Sequence, residues 1–563
     1  MCRHNLTEMP LPKTLPTDPR PSAGNATTRL RLILSLLIPV ILFLSRGAGA
    51  TPPPDSAGDS PPVIDSIDIR PGNVFDLSNP EQNNLLFRLA DRTHIVTRKS
   101  VIRRELLVRE GDVYDTALVN ESIRNLRSLP YLLNVDIHME IGSHGEHIMV
   151  VETTDKWSAY PRISYMRSGG RNDLRLGIKE SNFLGYGIEM GHRYYILDRD
   201  RDYYLAEFFD NRVMNYDYSV YFLYSDNPQA GQVAAVLGRP FYSLEQNWGG
   251  QISYTHLRRR LDFYVAQYLS AQERYNRDNL LFQMTYRVGG DKIKYHITPK
   301  YEYTSLRPRG RNIYVADVDT LLPKPAKDTI SHYLELGIRV QQINYAVFRR
   351  INRFFKPEDI NLGMDARAMA GAAYEPGFRH SQYQYLAVWP QYTFSLGPNL
   401  CIAGIRGDQW FAEGEKIRRD INSYFIYYGQ YLSNNTLAIR ASYNSIHLKE
   451  KSYTLYLDED SGVRGYPAYS FNGEDRFLLT IENRYFSNIE ILTVGLGAAA
   501  FVDIGNIWAR DGSPSLRDTR YSMGFGLRFG VSRSTNAEVV RFDLAYAPER
   551  GRWEISVGTG QYF

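Results

Sequence analysis

Thiols are nearly absent: Cys2 and Cys401 are the two cysteines among 563 residues. Cys2 lies in an N-terminal leader, so the processed chain cannot close an internal disulfide. No cysteine follows the apolar part of that leader, which leaves no lipoprotein signal. Long apolar runs are also missing. A transmembrane helix needs about 20 apolar residues, and the mean hydropathy of −0.38 is that of a polar chain. A bundle of membrane helices is therefore excluded. Charge of one sign is missing as well. Residues 1–50 hold six basic and two acidic residues, which accounts for the whole net charge of +4. The rest has 60 of each sign (66 less six, 62 less two). A neutral body argues against nucleic acid as a partner. Enzyme signatures are missing too: there is no G-x-S-x-G, no H-E-x-x-H and no Walker motif. Gly524-Phe525-Gly526 and Gly558-Thr559-Gly560 are followed by no helix, so they are strand glycines and not nucleotide loops. No Ser/His/acid set stands out among 11 histidines. The chain reads as a non-enzyme without cofactor. His138, His144 and His147 crowd one turn, but no carboxylate pattern accompanies them, and they read as a solvated turn and not a metal site.

What is abundant is tyrosine, 42 residues, and glycine, 43. The chain opens with a secretory pattern. Arg29 and Arg31 precede the apolar run Leu32–Leu44, and Gly47-Ala48-Gly49-Ala50 supplies small residues for cleavage after Ala50. Residues 1–50 thus read as a signal peptide and 51–62 (TPPPDSAGDSPP) as a Pro-rich linker. Residues 63–155 read as a small domain. Val63–Arg70 has the length and β-branching of a strand. Ser100–Val108 reads as a short amphipathic helix ended by Gly111. Asp115 is placed to cap a second helix with the stripe Val119, Ile123 and Leu126, stopped by Pro130. Leu133, Val135, Ile137, Met139 and Ile141 then alternate along a strand, and Ile148–Glu152 returns as another. Pro71–His94 reads as an insertion.

After a connector, residues 156–171, the period becomes two from Asn172 to Phe563. In Tyr186–Ile196 the residues Tyr186, Ile188, Met190, Tyr194 and Ile196 share one face, and Gly187, Glu189, Gly191 and Arg193 the other. In Tyr521–Val531 an apolar face of Tyr521, Met523, Phe525, Leu527, Phe529 and Val531 backs onto Ser522, Gly524, Gly526, Arg528 and Gly530. Alternation marks strands with one apolar and one polar face. It recurs over almost four hundred residues with Tyr on the apolar side. It runs in strands of about 10 residues and ends in a strand closed by Phe563. Together these mark a transmembrane antiparallel β-barrel and not a soluble sandwich. The pattern alone allows about 16 to 20 strands.

Four late segments are similar to the BamA/TamA superfamily of outer-membrane barrels, the bacterial surface antigen family. They are the loop motif Val463-Arg464-Gly465-Tyr466, Glu482 in LLTIENRYF, Phe501-Val502-Asp503-Ile504-Gly505, and the closing strand with Trp553, Gly558, Gly560 and Phe563. Asn182–Gly187 and Arg239–Tyr242 fit the same family. The stretch from Val101 to Ile137 resembles a single POTRA domain. The resemblance implies sixteen strands. It implies a bacterial outer-membrane location with the small domain in the periplasm. It further implies a role in protein insertion or polypeptide translocation, with extended clients, the lipid bilayer and accessory assembly proteins as partners. Alternation points Asp503 and Glu482 into the lumen from neighbouring strands, and the resemblance implies that Arg464 folds inward onto them. Gly465 would permit close backbone approach, and Tyr466 would pack on the wall. The strand Asp173–Ser181 is expected to meet Trp553–Tyr562 at a weak seam. The alternative is a passive pore or a scaffold without assembly activity.

Overall fold

The computed structural model describes residues 61–563 apart from 169–170, 198–199, 266–267, 315–326, 378–380, 449–454, 460, 468–469 and 535–538. The expected signal peptide, its cleavage site and residues 51–60 of the linker lie outside the described residues.

The first unit of secondary structure is a three-stranded sheet in the order Ser66–Gly72, His147–Asp155, Leu132–Ile141. Ser66–Gly72 runs parallel to His147–Asp155, which runs antiparallel to Leu132–Ile141. The helix Thr116–Ser128 starts where Asp115 accepts hydrogen bonds from Ala117 N (2.7 Å) and Leu118 N (3.3 Å), satisfying two of the amides that a helix start leaves free. Its Val119 and Leu126 join Ile64, Val101, Ile102, Leu132 and Met149 in one core. Two local expectations change. The helix expected over Ser100–Val108 spans Lys99–Arg103, because Leu107 N is drawn out of helical bonding by Ser122 Oγ at 2.9 Å. The insertion Pro71–His94 contains a helix of its own, Leu85–Thr93, capped by Asn84 on Phe87 N.

Residues beyond 158 build a closed barrel of twenty strands among the described residues, from Ala159–Ser168 to Arg552–Thr559. The expected sixteen is too few. Short strands such as Tyr203–Asp210 and Ser219–Ser225 have a length at which periodicity decides little. The barrel also begins earlier than Asn172. Ala159–Ser168, inside the expected connector, is its first strand, hidden in the sequence by Pro161, a residue that argues against a central strand. Arg171–Phe183 is the second strand, so the seam is formed by Ala159–Ser168 and Arg552–Thr559, not by Asp173–Ser181. Three consecutive strands, Trp248–Val265, Tyr268–Val288 and Ile293–Ile313, reach 18 to 21 residues, about twice the expected length.

The wall sorts its side chains by parity. Tyr521, Met523, Phe525 and Leu527 are exposed outward, whereas Ser522, Gly526, Arg528 and Gly530 are buried inward. The same holds for Tyr186, Met190, Tyr194 and Ile196 against buried Glu189, which pairs with Lys179 at 3.0 Å. The outer surface is thereby an apolar belt and the inner surface is ionic. Among the described residues no helix is long and apolar enough to cross a membrane.

The small domain is seated on one rim of the barrel. Arg212, in the turn after Tyr203–Asp210, donates to Glu105 at 3.3 Å and lies over the Tyr242 ring at 3.7 Å. Leu244 N donates to Glu121 at 2.6 Å, Arg98 stacks on Tyr186 at 4.0 Å, and Arg533 donates to Val74 O at 2.9 Å. Burial pushes the carboxyls of Glu105 and Glu121 above the usual carboxylate range, against the pull of the neighbouring arginines.

Candidate functional site

The chain between strands Asn435–Leu448 and Asp475–Ile491 first forms a small hairpin, Leu455–Leu457 with Phe471–Gly473, and then turns into the barrel. Asp458 fixes the turn: its backbone O accepts from Gly462 N (3.1 Å) and Val463 N (2.9 Å), and its carboxylate accepts from Ser461 N (2.9 Å). Gly465 takes a φ of +87°. A Cβ there would make only ordinary contacts, 3.5 Å from Ala545 and Ala547. The residue is therefore required for its left-handed backbone and not for the close approach expected of it. Tyr466 packs with Leu457, Val463, Leu478 and Ala547.

Arg464 has 0% of its surface exposed. Its Nε and Nη2 fork Asp503 at 2.7 and 2.9 Å, its backbone N adds a third bond at 3.2 Å, and Nη1 reaches Glu482 at 3.0 Å and Asp543 at 3.2 Å. The guanidinium is sandwiched between the rings of Phe501 (3.3 Å) and Tyr562 (3.9 Å). Each acid comes from a different wall strand, and Thr480, not Glu482, is the residue directly opposite Asp503. Asp543 escaped the sequence reading, although the alternation of Val539–Ala547 points it inward with Arg541 and Ala545. So did Arg541, and so did the partners of Arg528 and Arg484, two arginines that alternation points inward. Arg528 bonds Asp543 at 2.5 Å and Glu482 at 3.1 Å, Arg541 bonds Asp543 at 2.8 Å, and Arg484 bonds Glu482 at 2.8 Å.

Two other segments enter the lumen, and neither was foreseen. The hairpin Tyr345–Phe348 with Glu358–Asn361 stands on the rim that carries the small domain. Its tip is tied by Glu358, whose Oε1 accepts from the amides of Ile351 (3.2 Å), Asn352 (2.9 Å) and Arg353 (3.3 Å). Burial pushes this carboxyl up. Phe354 from the tip packs edge-on against Phe486, with ring centroids 4.9 Å apart. It fills a hollow over Gly495, Gly497 and Gly530, where a Cβ would collide with its ring or with its neighbour Phe355. That close approach explains glycines inside strands.

The chain end is the third segment. The closing strand stops at Thr559, and Gly560, at φ +80°, turns the rest inward. Phe563 therefore does not end the strand as expected. It packs against the cluster of Phe348, Ile351, Leu400, Tyr428 and Ala438. Arg484 joins the hairpin and the chain end to the wall acid that also holds Arg464: Nε to Glu482, Nη1 to Ile351 O at 2.9 Å, Nη2 to Phe563 O at 2.9 Å. Of the other expected seam residues, Trp553 faces outward against Tyr546 (5.1 Å), and a Cβ on Gly558 would meet the Arg541 guanidinium at 2.7 Å. The turn histidines stay on the small domain: His138 lies between Asp136 (2.8 Å) and Glu140 (3.2 Å), and His147 is 3.8 Å from Asp65.

Removing one partner from a buried ion cluster strands the others, at a cost of about 3–5 kcal/mol. Arg464→Ala should lower unfolding stability by that order, far more than Arg517→Ala in an outer loop. Arg464→Lys should recover only part of the loss, because an ammonium cannot fork Asp503. Combining Arg464→Ala with Asp503→Asn should cost less than the sum of the two; additive losses would show the pair to be uncoupled. A second expectation concerns the hairpin. Replacing residues 344–361 by a short turn should raise ion conductance in planar bilayers, and unchanged conductance would mean that the hairpin does not obstruct the lumen.

No protein-family model matches the chain, and no curated protein matches it. Among solved structures it is similar to BamA from Haemophilus ducreyi lacking POTRA domains 1–3, at 13% identity and TM-score 0.32 over 88% of this chain and 83% of that one. It is similar to CdiB from Escherichia coli at 11% identity and TM-score 0.41, over 94% and 96%. It is similar to CdiB from Acinetobacter baumannii at 11% identity and TM-score 0.38, over 89% and 74%.

Proposed function

We propose that this chain is a bacterial outer-membrane factor that inserts or translocates polypeptides and carries out no catalysis. In this reading the signal peptide is removed, the apolar belt faces lipid, and the small domain acts as a POTRA-like module in the periplasm. An extended client is held at the free sheet edge by main-chain pairing and passed to the seam between the first and last barrel strands. The edge is Leu132–Ile141. The opposite edge strand, Ser66–Gly72, is partly blunted, because Ile67 N already donates to Glu110 at 3.2 Å and Val63 bridges Val113.

The observation that carries the reading is the filling of the lumen beside the seam. Three inward segments converge on Arg464 and Arg484, and the last of them is the continuation of the closing strand itself. A barrel held shut in this way is poorly suited to passive diffusion. The closing strand offers its neighbour at most the eight residues Arg552–Thr559, against 21 in Tyr268–Val288. Its continuation is diverted inward, so the wall is thinly paired there, as it is between Tyr203–Asp210 and Ser219–Ser225.

Topology and seam are tested separately. With the buried Cys401 replaced by Ser, a cysteine at Leu516, which is 95% exposed, should react with an impermeant maleimide on intact cells. A cysteine at Gly145 should not, and labelling there would reverse the orientation. A cysteine at Asp458, in the turn before Arg464, should react poorly because that position is buried. For the seam, cysteine pairs scanned across Ala159–Ser168 and Arg552–Thr559 should yield crosslinks that leave the barrel folded. When oxidised they should reproduce the loss of outer-membrane proteins seen on depletion. Full activity of an oxidised, crosslinked protein would exclude passage through the seam. An unchanged outer-membrane proteome on depletion would favour a scaffold.

A further inference from the structure

The three longest consecutive strands carry an arginine row on their outer face, at the end of the wall away from the small domain. On Trp248–Val265 the exposed belt positions Trp248, Ile252 and Tyr254 are followed, at the same parity and without a bulge, by His256, Arg258 and Arg260. The register puts Asp278 opposite His256, Asn276 opposite Arg258, and Arg274 opposite Arg260. Across the next pairing Asn276 faces Arg307. Parity keeps all of these on the side of Phe282, Met284 and Ile297, which are exposed belt residues. The arginines thus begin where the apolar belt ends, behind the ring of Tyr254.

The acids of this region lie beneath the guanidinia and are already engaged. Asp278 is buried and accepts from Tyr254 Oη (2.8 Å), from His256 Nδ1 (2.8 Å) and from Arg307. Asp262 accepts from Arg260 (3.1 Å) and from Gln272 (2.9 Å), and Asp200 pairs with Arg260 as well. Arg258, Arg274 and Arg307 remain exposed. Among the described residues Arg274 donates to Gln272 Oε1 alone, at 2.8 Å. Among the described residues, neither Arg258 nor Arg274 has a carboxylate within ion-pair distance. Arg260 faces Arg274 in register, and with Arg260 already held by Asp200 and Asp262 it is Arg258 and Arg274 that stay open to an outside anion.

We propose that this outward row binds the phosphorylated head groups of the outer-leaflet glycolipid. Guanidinium forks match phosphate oxygens two at a time. Strands stand about 4.8 Å apart, so Arg258 and Arg307, with Asn276 between them, span a head group of about 10 Å. The belt below supplies the apolar surface that acyl chains require. Free phosphate would find the arginines but nothing for a chain to lie on. The proposal rests on the membrane orientation given above and not on any client.

The test uses the full-length protein in detergent and native mass spectrometry with three probes: diphosphoryl lipid A, the same lipid dephosphorylated, and inorganic phosphate. Diphosphoryl lipid A should bind at least about tenfold tighter than its dephosphorylated form, the order of one charge-assisted contact or more. The variant combining Arg258→Gln and Arg274→Gln should lose that preference while keeping the heat-modifiable gel mobility of a folded barrel. The comparison of lipids on the unaltered protein needs no variant at all. Equal binding of both lipids, a folded variant with undiminished preference, or full displacement by millimolar inorganic phosphate would each overturn the proposal. A seam-crosslinked protein should bind lipid A as before, so failure of the client-handling reading leaves a separate result here.

Discussion

A guanidinium with no exposed surface is tolerated only where carboxylates and aromatic faces replace its water, and Arg464 is that group in this barrel. Its partners Glu482, Asp503 and Asp543 sit on three different wall strands, so the contact can form only when those strands are already in register. Tyr562, which closes one face of the guanidinium, belongs to the segment beyond the last strand. One buried cation therefore ties an outer loop, the wall and the chain end together. The other arginines extend the cluster in both directions, with Arg484 handing it on to backbone carbonyls of Ile351 and Phe563.

The inward hairpin extends the same constraint to the small domain. Asp359, on its returning strand, is 3.5 Å from Arg127 of the helix Thr116–Ser128, and Tyr345, at its base, lies under Arg124 at 4.6 Å. Lys356 donates to Leu129 O and Leu132 O, at 3.4 and 3.3 Å, where the sheet edge Leu132–Ile141 begins. From that edge to the ion cluster the contacts are continuous: Lys356 near the tip, the amides bound by Glu358, Ile351 O, and Arg484. The small domain and the lumen are thus joined through one twenty-residue excursion of the wall, residues 343–362.

Each strand serves two solvents at once. Outward Met523, Phe525 and Leu527 and inward Arg528 are neighbours in sequence, separated only by the pleat. Where the inward filling presses hardest, against Phe354, the wall gives up its side chains and uses glycine. Beyond the apolar belt the outer face changes from tyrosine to arginine within four residues, Tyr254 to Arg258.

Periodicity is a local property, and it made the barrel legible. A period of two over hundreds of residues separates an apolar face from a polar one whatever the neighbours are. It pointed Glu482, Asp503 and Arg528 inward without any knowledge of partners. The cap at Asp115 was legible for the same reason, since its acceptor and donors lie within three residues. Strand number was not legible, because closure depends on how many short, ambiguous runs find an edge to pair with. Nor were Pro161 within a first strand, the turn at Gly560, or the hairpin of residues 343–362 inside the lumen. Those are decided by long-range contacts. Phe354 and the hollow at Gly497 lie over a hundred residues apart, and Arg464 has no counter-ion until the strands of Glu482, Asp503 and Asp543 stand side by side. The sequence by itself determined which face of each strand is wet. Only the closed wall decided what the wet face holds, because a buried charge takes its partners from whatever the fold brings within reach of it.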